Sequence, residues 1–86
     1  MRYTEKSIRE LVDDIDKYNS IESAYAAHRF DECNQKLNEI GLDKGILKRF
    51  DDALCLDDDD AGKNAAVEQA KQAIVKAAVA KLGLAR

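Results

Sequence analysis

An all-α fold, a compact bundle of four to five helices joined by short turns, is predicted by three observations. Proline and tryptophan are absent and only four glycines interrupt the 86 residues, so little in the chain breaks a helix and little favours strands. Apolar residues recur at three- and four-residue spacing, the period of a helix that buries one face. Gly41 and Gly83 follow apolar-periodic segments at the places where helices stop. At this length the chain forms one domain, residues 1–86, near the lower end at which a core holds without disulfides or metals.

Thr4 or Ser7 caps the first helix, and Ile8, Leu11, Val12, Ile15 and Tyr18 fall on one face, with Asp13, Asp14, Asp16 and Lys17 outside it. Asn19 or Ser20 followed by Glu22 resembles a capping box, which predicts a break or kink there. Beyond it the apolar phase shifts. Ile21, Tyr25 and His28 share one face, whereas Phe30, Cys33, Leu37 and Ile40 line another, and a reset near Asp31 is the expected cause. Gly41 then ends the helix in a left-handed turn, with Leu42 folding back on Leu37. Asp43 caps a segment in which Ile46, Leu47, Phe50 and Leu54 are spaced for burial. The last helix starts near Asp60 or Asn64 and runs to about Leu82.

That last helix has two apolar sides. Val67, Ile74, Val75, Ala78, Val79 and Leu82 form the expected core face. The other side carries Ala66, Ala70, Ala73, Ala77, Ala80 and Leu84 at alternating spacings of four and three, the seam of closely approaching helices. Three destinations suit the seam: water, the protein's own first helix, or a partner or second copy of the chain, the latter giving a structural homodimer.

Net charge is −3, unevenly placed. Residues 1–60 hold 9 basic and 16 acidic side chains, whereas residues 61–86 hold five basic side chains and one acidic. The acidic part repels nucleic acid, so no direct nucleic-acid binding is expected, and the basic last helix is available to neutralise it within the fold or across a dimer. Six carboxylates, Asp51, Asp52, Asp57, Asp58, Asp59 and Asp60, fall within ten residues. Such density suits a surface that docks on a basic groove of another protein, in the manner of an inhibitor, immunity protein, anti-defence protein or nucleic-acid mimic. A plainer role is a solvated turn whose aspartates favour the N-terminus of the last helix.

Residues 57–68 also resemble the calcium loop of the EF-hand family. Asp57, Asp59, Gly62 and Glu68 match positions 1, 3, 6 and 12 of that loop. The match departs at position 5, which is Ala61 and has no side-chain oxygen, at position 8, which is Asn64, and in the lack of a second loop. The resemblance implies a degenerate Ca²⁺ module using Asp57, Asp59 and Glu68. Residues 22–42, ESAYAAHRFDECNQKLNEIGL, resemble a helix-turn-helix in spacing, with Ala27 at the end of the first helix. The would-be recognition helix carries Asp31, Glu32 and Glu39 against one lysine, the wrong sign for DNA.

No catalytic signature is present. His28 is the only histidine and pairs with Glu32 one turn on rather than completing a metal site. Cys33 and Cys55 both fall on apolar faces, as small core residues do. No phosphate loop or serine elbow occurs. The expectation is a non-enzymatic binding protein without a cofactor. With two unclustered cysteines and no apolar run of the ~18–20 residues that a span requires, it is expected in the cytoplasm, its thiols reduced and without membrane contact.

Overall fold

A computed structural model describes residues 3–84 and contains four helices: α1 (Glu5–Asn19), α2 (Ala24–Glu39), α3 (Lys44–Leu54) and α4 (Lys63–Leu82). No strand occurs among the described residues. α1 and α4 pack on each other, α2 packs on α1, and α3 packs on α4. Two helical hairpins thus meet along the α1–α4 contact.

The start of α1 is a reciprocal capping box. The Ser7 N–H donates to Thr4 Oγ1 at 3.0 Å and the Thr4 N–H donates to Ser7 Oγ at 2.8 Å. Both candidate caps therefore act together, each satisfying a backbone donor that the helix leaves free. Ile8, Leu11, Val12 and Ile15 are buried as their spacing requires, and Tyr18 is half-buried.

The break after Asn19 is a full one, made without glycine or proline. The Ser20 hydroxyl donates to the Lys17 carbonyl at 2.9 Å, and three residues on Ser23 Oγ accepts from the Ala26 N–H at 3.0 Å. Side-chain oxygens satisfy both helix ends. The cap is Ser23, not Asn19 or Ser20, and Glu22 lies outside it.

The reset expected near Asp31 does not exist. α2 is continuous through that residue, and Ala26, Phe30, Cys33 and Leu37 form one stripe at helical spacing. Ile21, Tyr25 and His28, whose spacing suggests the phase shift, are all exposed, and Ile21 precedes α2. Continuity also removes the helix-turn-helix, because Ala27 lies inside the first turn of α2 rather than at a helix end.

Gly41 takes φ +79° after α2 and its N–H donates to the Asn38 carbonyl at 3.1 Å. Leu42 returns to the same core as Leu37. Asp43 caps α3 by accepting the Gly45 N–H at 2.7 Å. Gly83, φ +62°, ends α4, and the Leu84 N–H reaches back to the Val79 carbonyl at 3.1 Å, the long bond of a Schellman turn.

A single core joins all four helices, with Ile8 and Ile15 from α1, Leu37 from α2, Phe50 from α3 and Ile74 from α4 almost inaccessible. Each such side chain contributes about 1.5–3 kcal/mol relative to exposure. Two sequence expectations fail at its edges. Leu82 is exposed, because the last turn of α4 projects past the packed part of its stripe. Cys55 is exposed at the C-cap of α3, while Cys33 is buried. The alanine seam is not a free face: Ala70 is buried, Ala66, Ala77 and Leu84 pack against the core, and Ala80 alone is fully exposed, with Ala73 between. Ala66 and Ala70 face Ala53 and Leu56 of the α3 side across a cleft.

Candidate functional site

The acidic run divides between two settings. Asp51 and Asp52 stand on the last turn of α3, and Asp57–Asp60 form the turn that leads into α4. All six are exposed. Lys48 pairs with Asp52 at 2.8 Å, one turn apart on α3, and Lys63 pairs with Asp58 at 2.9 Å. The Lys63 ammonium, donating a hydrogen bond, holds the Asp58 carboxyl below its ordinary value. Asp60 serves the backbone. Its Oδ1 accepts the Gly62 N–H at 2.8 Å and its carbonyl accepts the Lys63 N–H at 3.2 Å. Asp51, Asp57 and Asp59 have no cationic partner among the described residues.

None of these carboxylates caps α4 directly. Gly62 occupies the cap position with no side-chain hydrogen bond, and the first turn of α4 holds no acidic residue. The run favours the positive end of α4 at a distance, and it also crowds the negative end of α3, whose last turn lacks a basic residue. Helix stabilisation therefore explains only part of the aspartate run.

The calcium geometry implied by the EF-hand resemblance is not assembled. Two helices do flank the loop, but among the described residues no three His, Cys, Asp or Glu side chains converge on a metal-sized site. Glu68 sits more than a turn inside α4 and lies 3.5 Å from the Lys71 ammonium, so it does not join Asp57 and Asp59.

Beside the acidic turn, α3 and α4 leave a cleft of about 250 Å³ lined by Arg49, Asp52, Ala53, Leu56, Ala66, Gln69 and Ala70. Small side chains create it: alanines face one another across the hairpin where larger residues would close the gap. Leu56 forms its outer edge, 36% exposed, immediately before Asp57. The α1–α2 turn belongs to the same end of the molecule, since Asn19 Nδ2 donates to the Leu54 carbonyl at 3.4 Å. There Tyr25, 67% exposed, meets the half-buried Tyr18 ring edge-on at 6.4 Å, and Ile21 is also exposed.

One arrangement escaped sequence reasoning. Lys71 is the only buried charged residue among those described, 9% exposed, and its ammonium lies 2.8 Å from Asp16, 3.2 Å from Asp13 and 3.5 Å from Glu68. Burial pushes its pKa down, but hydrogen bonds to Asp16 and Asp13 outweigh that and the net shift is upward. The signal was present: Lys71 lies midway between Val67 and Val75 on the core stripe of α4, and α1 carries its acids at Asp13 and Asp16. His28 is exposed with Glu32 at 3.3 Å, and burial pushes the Cys33 thiol up, away from the reactive thiolate.

Compared with known proteins, the chain matches no family model, no curated protein and no solved structure. Among the described residues no helix is long and apolar enough to cross a membrane.

Proposed function

We propose that this is a small acidic binding protein, of inhibitor or adaptor type, that docks the α3–α4 end of its fold on a basic surface of another protein. The observation that carries the reading is the set of exposed carboxylates there that the described part of the fold leaves uncompensated: Asp51, Asp57 and Asp59 face solvent without a cation among the described residues, while Lys48 and Lys63 offset only Asp52 and Asp58. Unpaired surface charge of one sign steers a partner of the other sign and selects against nucleic acid. Charge that is already paired within the fold does neither.

Association kinetics test the reading. Proteins retained by the immobilised chain from its source lysate are identified and purified, and their binding is measured across ionic strength for the wild type and for a variant with Asp57–Asp60 changed to asparagine. Binding is expected to be fast at low salt, to slow as screening shortens the Debye length below ~10 Å, and to slow again in the variant. Should the partner bind nucleic acid, that nucleic acid competes for the same site. A partner indifferent to both salt and the four substitutions sinks the proposal.

A further inference from the structure

We infer that the cleft between α3 and α4 receives one large apolar side chain, of leucine size, from a lysine- or arginine-flanked segment of the partner. The inference rests on the acidic docking reading and specifies what the docked segment looks like.

Two independent features meet at this place. The first is the cleft itself, walled by Ala53 on α3, by Ala66 and Ala70 on α4, and by the exposed edge of Leu56. A core pair of hairpin helices normally fills such space with its own side chains, because voids forfeit contacts on every wall. Here the residues that face one another are alanines, and the space opens to solvent instead. The second is charge. Asp52 on the α3 wall is already paired with Lys48, which leaves Arg49 as the one cation of that wall, and the turn that follows Leu56 outweighs it with Asp57, Asp59 and Asp60, unpaired by any lysine or arginine among the described residues. An apolar cleft beside a net acidic turn selects an apolar side chain flanked by cations.

The polar depression between α1 and α4 has no such character. Its lining includes Asp13, Glu68 and Lys71, which already pair with one another. The α3–α4 cleft, by contrast, is walled mainly by apolar side chains and lies next in sequence to the unpaired carboxylates of the turn.

Two short lysine-rich peptides of equal charge, one with a central leucine and one with serine in its place, are the probes. Each is titrated into the full chain at low salt while backbone amide resonances are followed. The leucine peptide is expected to bind about tenfold more tightly or better, as burial of one aliphatic side chain requires, with shifts centred on Ala53, Leu56, Ala66 and Ala70. Ala66→Leu, which fills the socket, and Leu56→Ser, which removes its outer wall, should each abolish that advantage while circular dichroism confirms that the helices persist. Changing Asp57–Asp60 to asparagine should weaken both peptides alike and preserve their ratio. Equal affinity for the two peptides overturns the socket and leaves acidic docking standing, as does a leucine advantage that survives both cleft variants. If neither peptide binds at low salt, both readings fall.

Discussion

Two acidic clusters of similar density have opposite fates in this fold. Asp13, Asp16 and Glu68 surround one buried ammonium, that of Lys71, and tie the α1–α2 hairpin to the α3–α4 hairpin. Asp57–Asp60 project from a turn into water with a single salt bridge among the described residues, from Lys63 to the fully exposed Asp58. Sequence charge is thus a poor guide to surface charge. What separates the clusters is the neighbouring element: α1 lies against the one face of α4 that carries a lysine within its apolar stripe, whereas the α3–α4 turn lies at an end that no helix covers. The first cluster is consumed by folding, and the second is left for something outside.

Removing the cation should expose the difference most strongly. Lys71→Ala is expected to lower the unfolding free energy by about 1–3 kcal/mol in urea titrations, because it opens a gap under the aliphatic stem and leaves three carboxylates facing one another. The loss stays below that of a fully buried pair, since Asp13 and Glu68 keep most of their solvent contact. Lys71→Met, which keeps the stem, should recover part of it. Lys63→Met, which keeps the mostly buried stem and removes only the pair with the fully exposed Asp58, should leave stability unchanged within error. Equal losses from Lys71 and Lys63 would erase the distinction between the clusters.

Alkaline titration sharpens the comparison further. The folded pKa of Lys71 is raised above its ordinary 10.5, so the stabilisation it contributes is complete below that value and is lost as pH climbs through the folded pKa. The stability difference between wild type and Lys71→Met is therefore expected to be flat from neutral pH to about pH 10 and to shrink above the ordinary lysine value. A difference that instead shrank between neutral pH and about pH 9 would place the proton elsewhere.

Much of this was legible in the sequence, and the illegible part has a common cause. Local signals held where one residue satisfies one backbone group: Thr4 and Ser7 at the start of α1, Gly41 after α2, Asp43 before α3, Gly83 after α4. The first break was legible near Asn19, though its cap is Ser23. Inference failed where the answer lies on another helix. Ile21, Tyr25 and His28 have helical spacing, but Ile21 lies in the turn before α2 and all three are exposed, so the break their spacing predicts at Asp31 is false. The alanine seam has the right spacing for close approach, and only the position of α3 says what approaches Ala66 and Ala70. Lys71 sits on an apolar stripe as an apparent error until α1 brings Asp13 and Asp16 to it. At the acidic end, the identity of the exposed carboxylates was readable, whereas the cleft beside them exists only because two alanine-bearing segments from different helices face each other.

Neutralising the exposed cluster should be almost silent in stability. With Asp57–Asp60 changed to asparagine, the urea midpoint is expected to stay put or rise slightly, because like charges are removed. The asparagine amide oxygen that replaces the Asp60 carboxylate can still accept the Gly62 N–H, so the turn keeps its side-chain hydrogen bond. A midpoint that fell as far as in Lys71→Ala would mean that the turn is a structural element on a par with the α1–α4 junction.

The smallest effect is expected from calcium, and it bears on whether the exposed cluster is poised for a metal rather than for a protein. Millimolar Ca²⁺ added to the chain in a calorimeter should produce no saturable heat. Asp57 and Asp59 are free to turn toward an ion, but position 5 of the loop is Ala61, and the bidentate ligand of a working loop would have to be Glu68. That residue is held in the body of α4 within 3.5 Å of Lys71, so recruiting it means breaking an ion pair and unwinding helix that the core stripe from Val67 onward holds in place. A loop that has lost one ligand and must also unfold a turn to gain another falls far short of the roughly six to eight oxygens calcium takes. Saturable heat abolished by both Asp57→Asn and Glu68→Gln would show that α4 yields, and would make the exposed cluster, like the buried one, a set of carboxylates organised around a cation.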